Sequence, residues 1–153
     1  MRDTIISDTS CLIILNNIGE LDLLHKLYSG IITTAVIAEE FGQPLPDWIT
    51  VKDAVNLHYQ EILELQVDKG EASAIALAIE ITPCILIVDD YKARKVATKL
   101  GIKITGTIGI IVKAKLNGIF PSIKPYINKI KETNFRLSDE LVQLAYLEAG
   151  EMG

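Results

Sequence analysis

The sequence predicts an α/β domain built on a parallel sheet, and three observations predict it. Short apolar runs alternate along the chain with stretches of helical periodicity, the order expected when each strand is followed by a helix that covers the sheet. The run Ile85 to Val88 is apolar at every position, as a central parallel strand buried on both faces requires. Acidic residues stand where such runs give way to helical patterns: Asp8 after Thr4 to Ser7, Glu39 and Glu40 after Gly30 to Thr34, Glu71 after Asp68 to Gly70, and Asp89 and Asp90 after the Ile85 run.

The elements follow in order. Thr4 to Ser7 reads as the first strand. Thr9 and Ser10 then suit the cap of a helix carrying Leu12, Ile13 and Leu15, and a second helix holds Leu21, Leu23, Leu24 and Leu27. Ile31 to Thr33 is the next strand, and the helix after it carries Val36, Ile37, Glu40 and Phe41, stopped by Pro44 and Pro46. Trp48 to Val51 reads as a short extended segment, and Val55 to Leu65 as a helix anchored by Leu57, Ile62 and Leu65. Gly70 to Ile81 is a small-residue helix with Ala72, Ile75, Ala76 and Ile79 on its apolar stripe. The helix after Val88 buries Ala93, Val96, Ala97 and Leu100 and ends at Gly101; Ile102 to Thr105 is a further strand. A helix from Gly106-Thr107 runs to Asn117-Gly118, and Pro121 to Lys131 and Ser138 to Ala149 make the C-terminal third helical.

At 153 residues, one domain spanning 1–153 is expected. Mean hydropathy is high at +0.30, yet no stretch reaches the roughly 18 uninterrupted apolar residues of a membrane span. Arg2 and Asp3 lead straight into a strand-like run, without a secretory pattern, so a cytoplasmic location is expected. Cys11 and Cys84 lack zinc spacing and read as buried thiols; His25 and His58 are isolated and read as surface or packing residues.

The net charge of −5 hides an asymmetry. Tyr91 to Lys131 contains no acid and ten bases, whereas the rest of the chain carries all 20 acids and five bases. Acids at several strand ends of a parallel sheet converge on one crevice. Converging carboxylates repel one another until a cation neutralises them, and hard divalent ions favour such oxygen ligands. A basic surface beside them suits a phosphodiester substrate, with Lys92, Arg94, Lys95 and Lys99 as backbone contacts. The bland alternatives are solvated helix faces for the bases and, for each acid, a place in a helix's first turn, where the dipole favours a carboxylate without any catalytic role.

The residues Asp8-Thr9-Ser10, Glu39-Glu40-Phe41, the run Gly70 to Ala78, and the run Asp89 to Ala97 together resemble the PIN domain, particularly its prokaryotic toxin-like branch. The resemblance continues through Gly106 to Gly109, Lys113 to Lys115 and Phe135 to Ser138. It implies a three-layer α/β/α fold with a small parallel sheet and an endoribonuclease dependent on Mg²⁺ or Mn²⁺. It also implies a toxin of a toxin–antitoxin pair, with an antitoxin partner, and a homodimer. Position by position, Asp8, Glu40, Glu71 and Asp90 match the catalytic acids; Asp8, Glu71, Asp89 and Asp90 are the metal-ligand candidates, with Asp89 alternatively a helix cap. Thr9, Ser10 and Thr107 match supporting positions. Many relatives carry Asp where this chain has Glu71, whose longer stem carries its carboxylate outward. Glu40 is preferred to Glu39 because it stands nearer the buried face of its helix.

Two other readings stand beside this one. A catalytically silent nucleic-acid- or partner-binding module would keep the fold and the basic face. A receiver-like phosphotransfer domain would use an Asp pair after a strand but gives Glu40 and Glu71 no role.

Overall fold

The computed structural model describes residues 4–151; Arg2 and Asp3 lie outside them. Strands β1 (Thr4–Ser7), β2 (Gly30–Thr33), β3 (Ile49–Val51), β4 (Ile85–Ile87) and β5 (Lys103–Thr105) form one sheet in the order β3-β2-β1-β4-β5. Every neighbouring pair is parallel. Register places Ile5 between Ile31 and Ile85, and Ile6 between Ile32 and Leu86. Successive strand residues point to opposite faces, and Ile5, Ile6, Leu86 and Ile87 are all fully buried, so both faces of the central strands are covered.

Helices supply those covers, giving three layers, α/β/α. Helices α1 (Thr9–Asn17) and α2 (Asp22–Leu27) contact α7 (Thr107–Leu116), and α9 (Asp139–Glu148) packs on α7 in turn. Helix α5 (Lys69–Glu80) lies on β1 and β4 and touches α3 (Ala35–Phe41), α4 (Leu57–Leu63) and α6 (Tyr91–Lys99). So many neighbours require small residues, and Gly70 and Ala72 to Ala78 are all buried. The C-terminal end is tied down through the Glu151 carboxylate, which accepts from Ser122 Oγ at 2.6 Å and from the Ile123 amide at 2.9 Å, beside α8 (Lys124–Lys131).

Several local expectations change. The cap of α1 is Asp8, whose Oδ1 accepts from the Cys11 amide at 2.9 Å, and Thr9 and Ser10 lie inside the helix. Helix α4 is shorter than its apolar pattern suggested. Leu57, Ile62 and Leu65 are 58%, 46% and 84% exposed, while Gln60 and Leu63 are the residues the helix buries. Gln60 and Leu63, three apart, share the buried side of the helix, and Leu65 and the buried Val67 both fall beyond the helix end. Leu100 is exposed past the end of α6, where Ala93 and Ala97 make the close approach. Cys11 is buried as read, but Cys84 is only half-buried. His25 stacks on Trp48, ring centroids 4.9 Å apart.

Candidate acidic site

The strand order reverses at one place. The chain moves outward from β1 through β2 to β3, then crosses back to place β4 and β5 on the other side of β1. Ligands of open parallel sheets bind outside the carboxyl ends of the strands at such a reversal. Asp8 follows β1 directly, and Asp89 and Asp90 follow β4 after Val88. The two strand ends are joined by the Asp8 amide donating to the Ile87 carbonyl at 3.2 Å.

A cavity of about 190 Å³ opens at this point, lined by Asp8, Glu40, Asp68, Glu71 and Asp90 with the hydroxyl residues Thr9 and Ser10. Three of the acids are helix N-caps, and Glu40 is held by a hydroxyl. Asp8 is only 5% exposed; besides capping α1, it accepts at Oδ2 from the Asp89 amide at 3.0 Å. Both of its oxygens are thereby fixed. Asp90 caps α6 through Oδ2, which accepts from the Ala93 amide at 3.0 Å. Asp68 caps α5, its Oδ1 accepting from the Glu71 amide at 3.3 Å. Glu40 sits at the surface of α3 but reaches back: its Oε1 accepts from Thr9 Oγ1, and its carboxylate lies over Gly70. A Cβ at Gly70 would collide with that carboxylate. Glu39, one residue earlier, does not line the cavity.

No lysine or arginine stands among the lining residues, so the negative charge accumulates. Burial, reinforced by the Asp89 charge, pushes the Asp8 carboxyl up to about 8, against the lowering effect of its amide hydrogen bonds. Glu71 is pushed up to about 8 as well, first by burial and then by a hydrogen bond from its side chain to Asp68 and by the charges of Asp68, Asp90 and Asp8. Both groups hold a proton at neutral pH in the absence of a cation.

Asp89 belongs to a neighbouring arrangement. Its Oδ1 accepts from the Thr107 amide at 2.8 Å and its Oδ2 from Thr107 Oγ1 at 2.6 Å. Burial raises its pKa, while these bonds and the nearby Arg94 lower it. Of the two aspartates after β4, Asp90 is the helix cap and the cavity-lining acid, and Asp89 is held by fully buried Thr107. Its backbone amide donates to Asp8, and its carboxylate acts on Asp8 through its charge.

A family model described as a PIN domain matches residues 4–151. The chain belongs to the PIN-domain family. No curated protein matched it. PIN domains are generally nucleases and generally use divalent metals. This chain's cavity suits such an ion in its chemistry, since its donors are carboxylate and hydroxyl oxygens carrying uncompensated charge. In arrangement the acids stand apart: among the described residues, no three of His, Cys, Asp and Glu are grouped so as to hold one metal ion.

The structure also adds a PIN-domain residue that the sequence reading passed over. Asp68 was read only as part of the approach to Glu71, yet it lines the cavity and bonds to Glu71. The signal was present as Asp68-x-x-Glu71, the spacing at which a capping side chain meets the third helical residue. Among the basic candidates, Lys92, Lys95 and Lys99 are exposed on α6. Arg94 is partly buried and donates from Nη1 to the Val88 carbonyl at 2.8 Å.

Proposed function

We propose that this protein is a divalent-metal-dependent endoribonuclease, hydrolysing RNA phosphodiester bonds at the five-carboxylate cavity with Mg²⁺ or Mn²⁺. The observation that carries the reading is the cavity at the strand-order reversal, where five carboxyl groups meet with no lysine or arginine among the lining residues. Capping accounts for Asp8, Asp68 and Asp90 one at a time, but not for gathering three caps with Glu40 and Glu71 on one small cavity, which their mutual repulsion opposes.

Asp8, Asp90 and Glu71 are the residues that would hold the ion, with Glu40 and Asp68 beside them. When bound, a divalent ion supplies charge for a phosphoryl oxygen and lowers the pKa of a water molecule. Asp8 is pre-positioned by two backbone amides, so its carboxylate needs little reorganisation. Thr9 orients Glu40 over the cavity, where it can accept the proton of an attacking water. Glu71, whose carboxyl is raised without an ion, would release its proton on binding one and complete the oxygen shell beside Asp8 and Asp90. Lys92, Arg94, Lys95 and Lys99 neutralise the RNA backbone alongside. By the same family reading the protein acts in the cytoplasm as the toxin of a toxin–antitoxin pair and as a homodimer. Exposed Val55, Leu57 and Leu65 and, on α9, Leu144 and Leu147 offer apolar surface for such contacts.

A silent RNA- or partner-binding module is the second reading, favoured by the spacing of the acids. Cleavage of a labelled single-stranded RNA by wild type and by Asp90→Asn, with Mn²⁺, separates the two. Asn keeps the α6 cap through Oδ1. The endoribonuclease reading expects wild-type cleavage and a loss of about a hundredfold or more in the variant at an unchanged melting temperature. Binding without cleavage by the wild type, in either metal, selects the silent module.

A further inference from the structure

We infer that Tyr91 and the groove beside it form a base-stacking subsite, which takes one unpaired base of a single-stranded RNA next to the acidic cavity. The inference rests on the ribonuclease reading above and names the form of its substrate. Tyr91 opens α6 immediately after Asp90, and it is 74% exposed. A tyrosine so exposed contributes little to the core, so packing gives no reason for an aromatic ring here. The ring forms one wall of a groove of about 440 Å³ lined by Tyr91, Arg94, Lys95, Thr98, Lys99 and Ile104. Three of those six residues are cations and none is an acid, while the cavity reached through Asp90 is lined by five acids and no base.

That division suits an RNA strand, whose phosphates need cations away from the reacting bond and whose bases need an aromatic or apolar face. Lys95 Nζ lies over the Tyr91 ring, 5.6 Å from its centroid, so an entering base takes the opposite face of the ring or displaces the flexible ammonium. Spacings of four and eight residues put Tyr91, Lys95 and Lys99 on one face of α6, so a strand following that face leads from the groove to Asp90. Lys92 does not line the groove. Arg94 is anchored through the Val88 carbonyl and holds one side of it. Two bases further along the chain are engaged elsewhere: Lys113 Nζ lies 4.3 Å from the Tyr28 ring centroid, and Lys115 Nζ donates to the Ala149 carbonyl. Stacking on an exposed ring beside cations is how single strands are held without regard to sequence, and a duplex keeps the faces of its bases covered.

The test measures fluorescence anisotropy of a labelled single-stranded oligoribonucleotide, and of the same sequence as a duplex, in EDTA with wild type, Tyr91→Ala and Tyr91→Trp. Melting temperatures check that each variant folds. Tyr91→Ala is expected to weaken single-strand binding by about 5- to 150-fold, the range for losing one base stack. Tyr91→Trp should retain it, and duplex binding should be unaffected by either change. Unchanged single-strand affinity in Tyr91→Ala, an equal loss on duplex, a loss in Tyr91→Trp as large as in Tyr91→Ala, or a wild type that does not bind the single strand each overturns the subsite. Wild-type cleavage with Mn²⁺, measured separately, tests the ribonuclease reading independently. Cleavage with unaltered Tyr91→Ala binding rejects the subsite alone, and the expected binding pattern without cleavage rejects the nuclease alone.

Discussion

A single missing side chain at Gly70 decides where Glu40 lies. Gly70→Ala should push the Glu40 carboxylate off its place beside Thr9 while leaving the fold intact, because the atom displaced is the end of a flexible side chain. Alanine in place of glycine favours a helix by about 0.5–1 kcal/mol, so the melting temperature should hold or rise. Turnover should fall by about ten- to a hundredfold, as expected for a misplaced reacting group. At Asp8 and Glu71 the raised carboxyls give a second prediction: metal binding must displace their protons, so affinity for Mn²⁺ should tighten as pH rises from 6 to 8, by up to about tenfold per pH unit for each proton released. Titration calorimetry in two buffers of different ionisation heat reads that proton release directly. Part of this was legible in the chain, since Asp8 and the Asp89-Asp90 pair stand at the ends of apolar runs, while Glu40 and Glu71 are singled out by the family resemblance. What the chain did not resolve was the division of labour in Asp89-Asp90. That choice depends on Thr107, 18 residues on, supplying an amide and a hydroxyl to one carboxylate and leaving the other to cap α6.

Helix α5 combines a structural cap with the electrostatics of the site, and the two separate by substitution. Asp68→Asn keeps an Ncap acceptor for the Glu71 amide but removes a charge and a hydrogen bond that hold Glu71 protonated. The Glu71 pKa should therefore fall from about 8, visible in its side-chain carboxyl NMR shift on titration. Asp68→Ala should produce the same fall and also cost about 1 kcal/mol through the lost cap. A Glu71 pKa unmoved in both variants would mean that burial and the charges of Asp90 and Asp8 raise it without Asp68. At this scale the sequence was readable where a helix packs on many sides, as in Gly70 to Ala78, because small buried residues admit few alternatives. Helix α4 was misread for the opposite reason. Leu57 and Ile62 within it and Leu65 just past its end are exposed, and its buried side is carried by Gln60 and Leu63, so hydrophobicity alone points at the wrong face.

Across the molecule, the parallel α/β order followed from alternating strand and helix patterns, but the strand order did not. Only the crossing back from β3 to β4 puts Asp8 and Asp90 at one reversal point, and that is a property of the whole sheet. The concentrated acids carry a cost that the whole fold registers. Asp8 has a folded-state pKa of about 8 against an ordinary 3.8, so the native state binds more protons than the unfolded chain between those values. Metal-free stability should therefore be greatest near pH 4–5 and fall as pH rises to about 8, with half-buried Glu71 adding a solvent-screened share. Glu80 and Glu151, whose pKa values are lowered, act in the opposite sense only in the acid range below that window. Thermal melts in EDTA from pH 5 to 8.5 check this, and saturating Mn²⁺ should remove the loss at the upper end. The central claim, that these carboxylates form one divalent-cation centre, is tested most directly by anomalous diffraction from crystals grown at pH 8 with Mn²⁺. The account predicts an anomalous peak within coordinating distance of the Asp8 and Asp90 carboxylates, with Glu71 or Glu40 turned toward it. A well-diffracting crystal at saturating Mn²⁺ with no peak in the cavity, or a peak bound elsewhere, would contradict it.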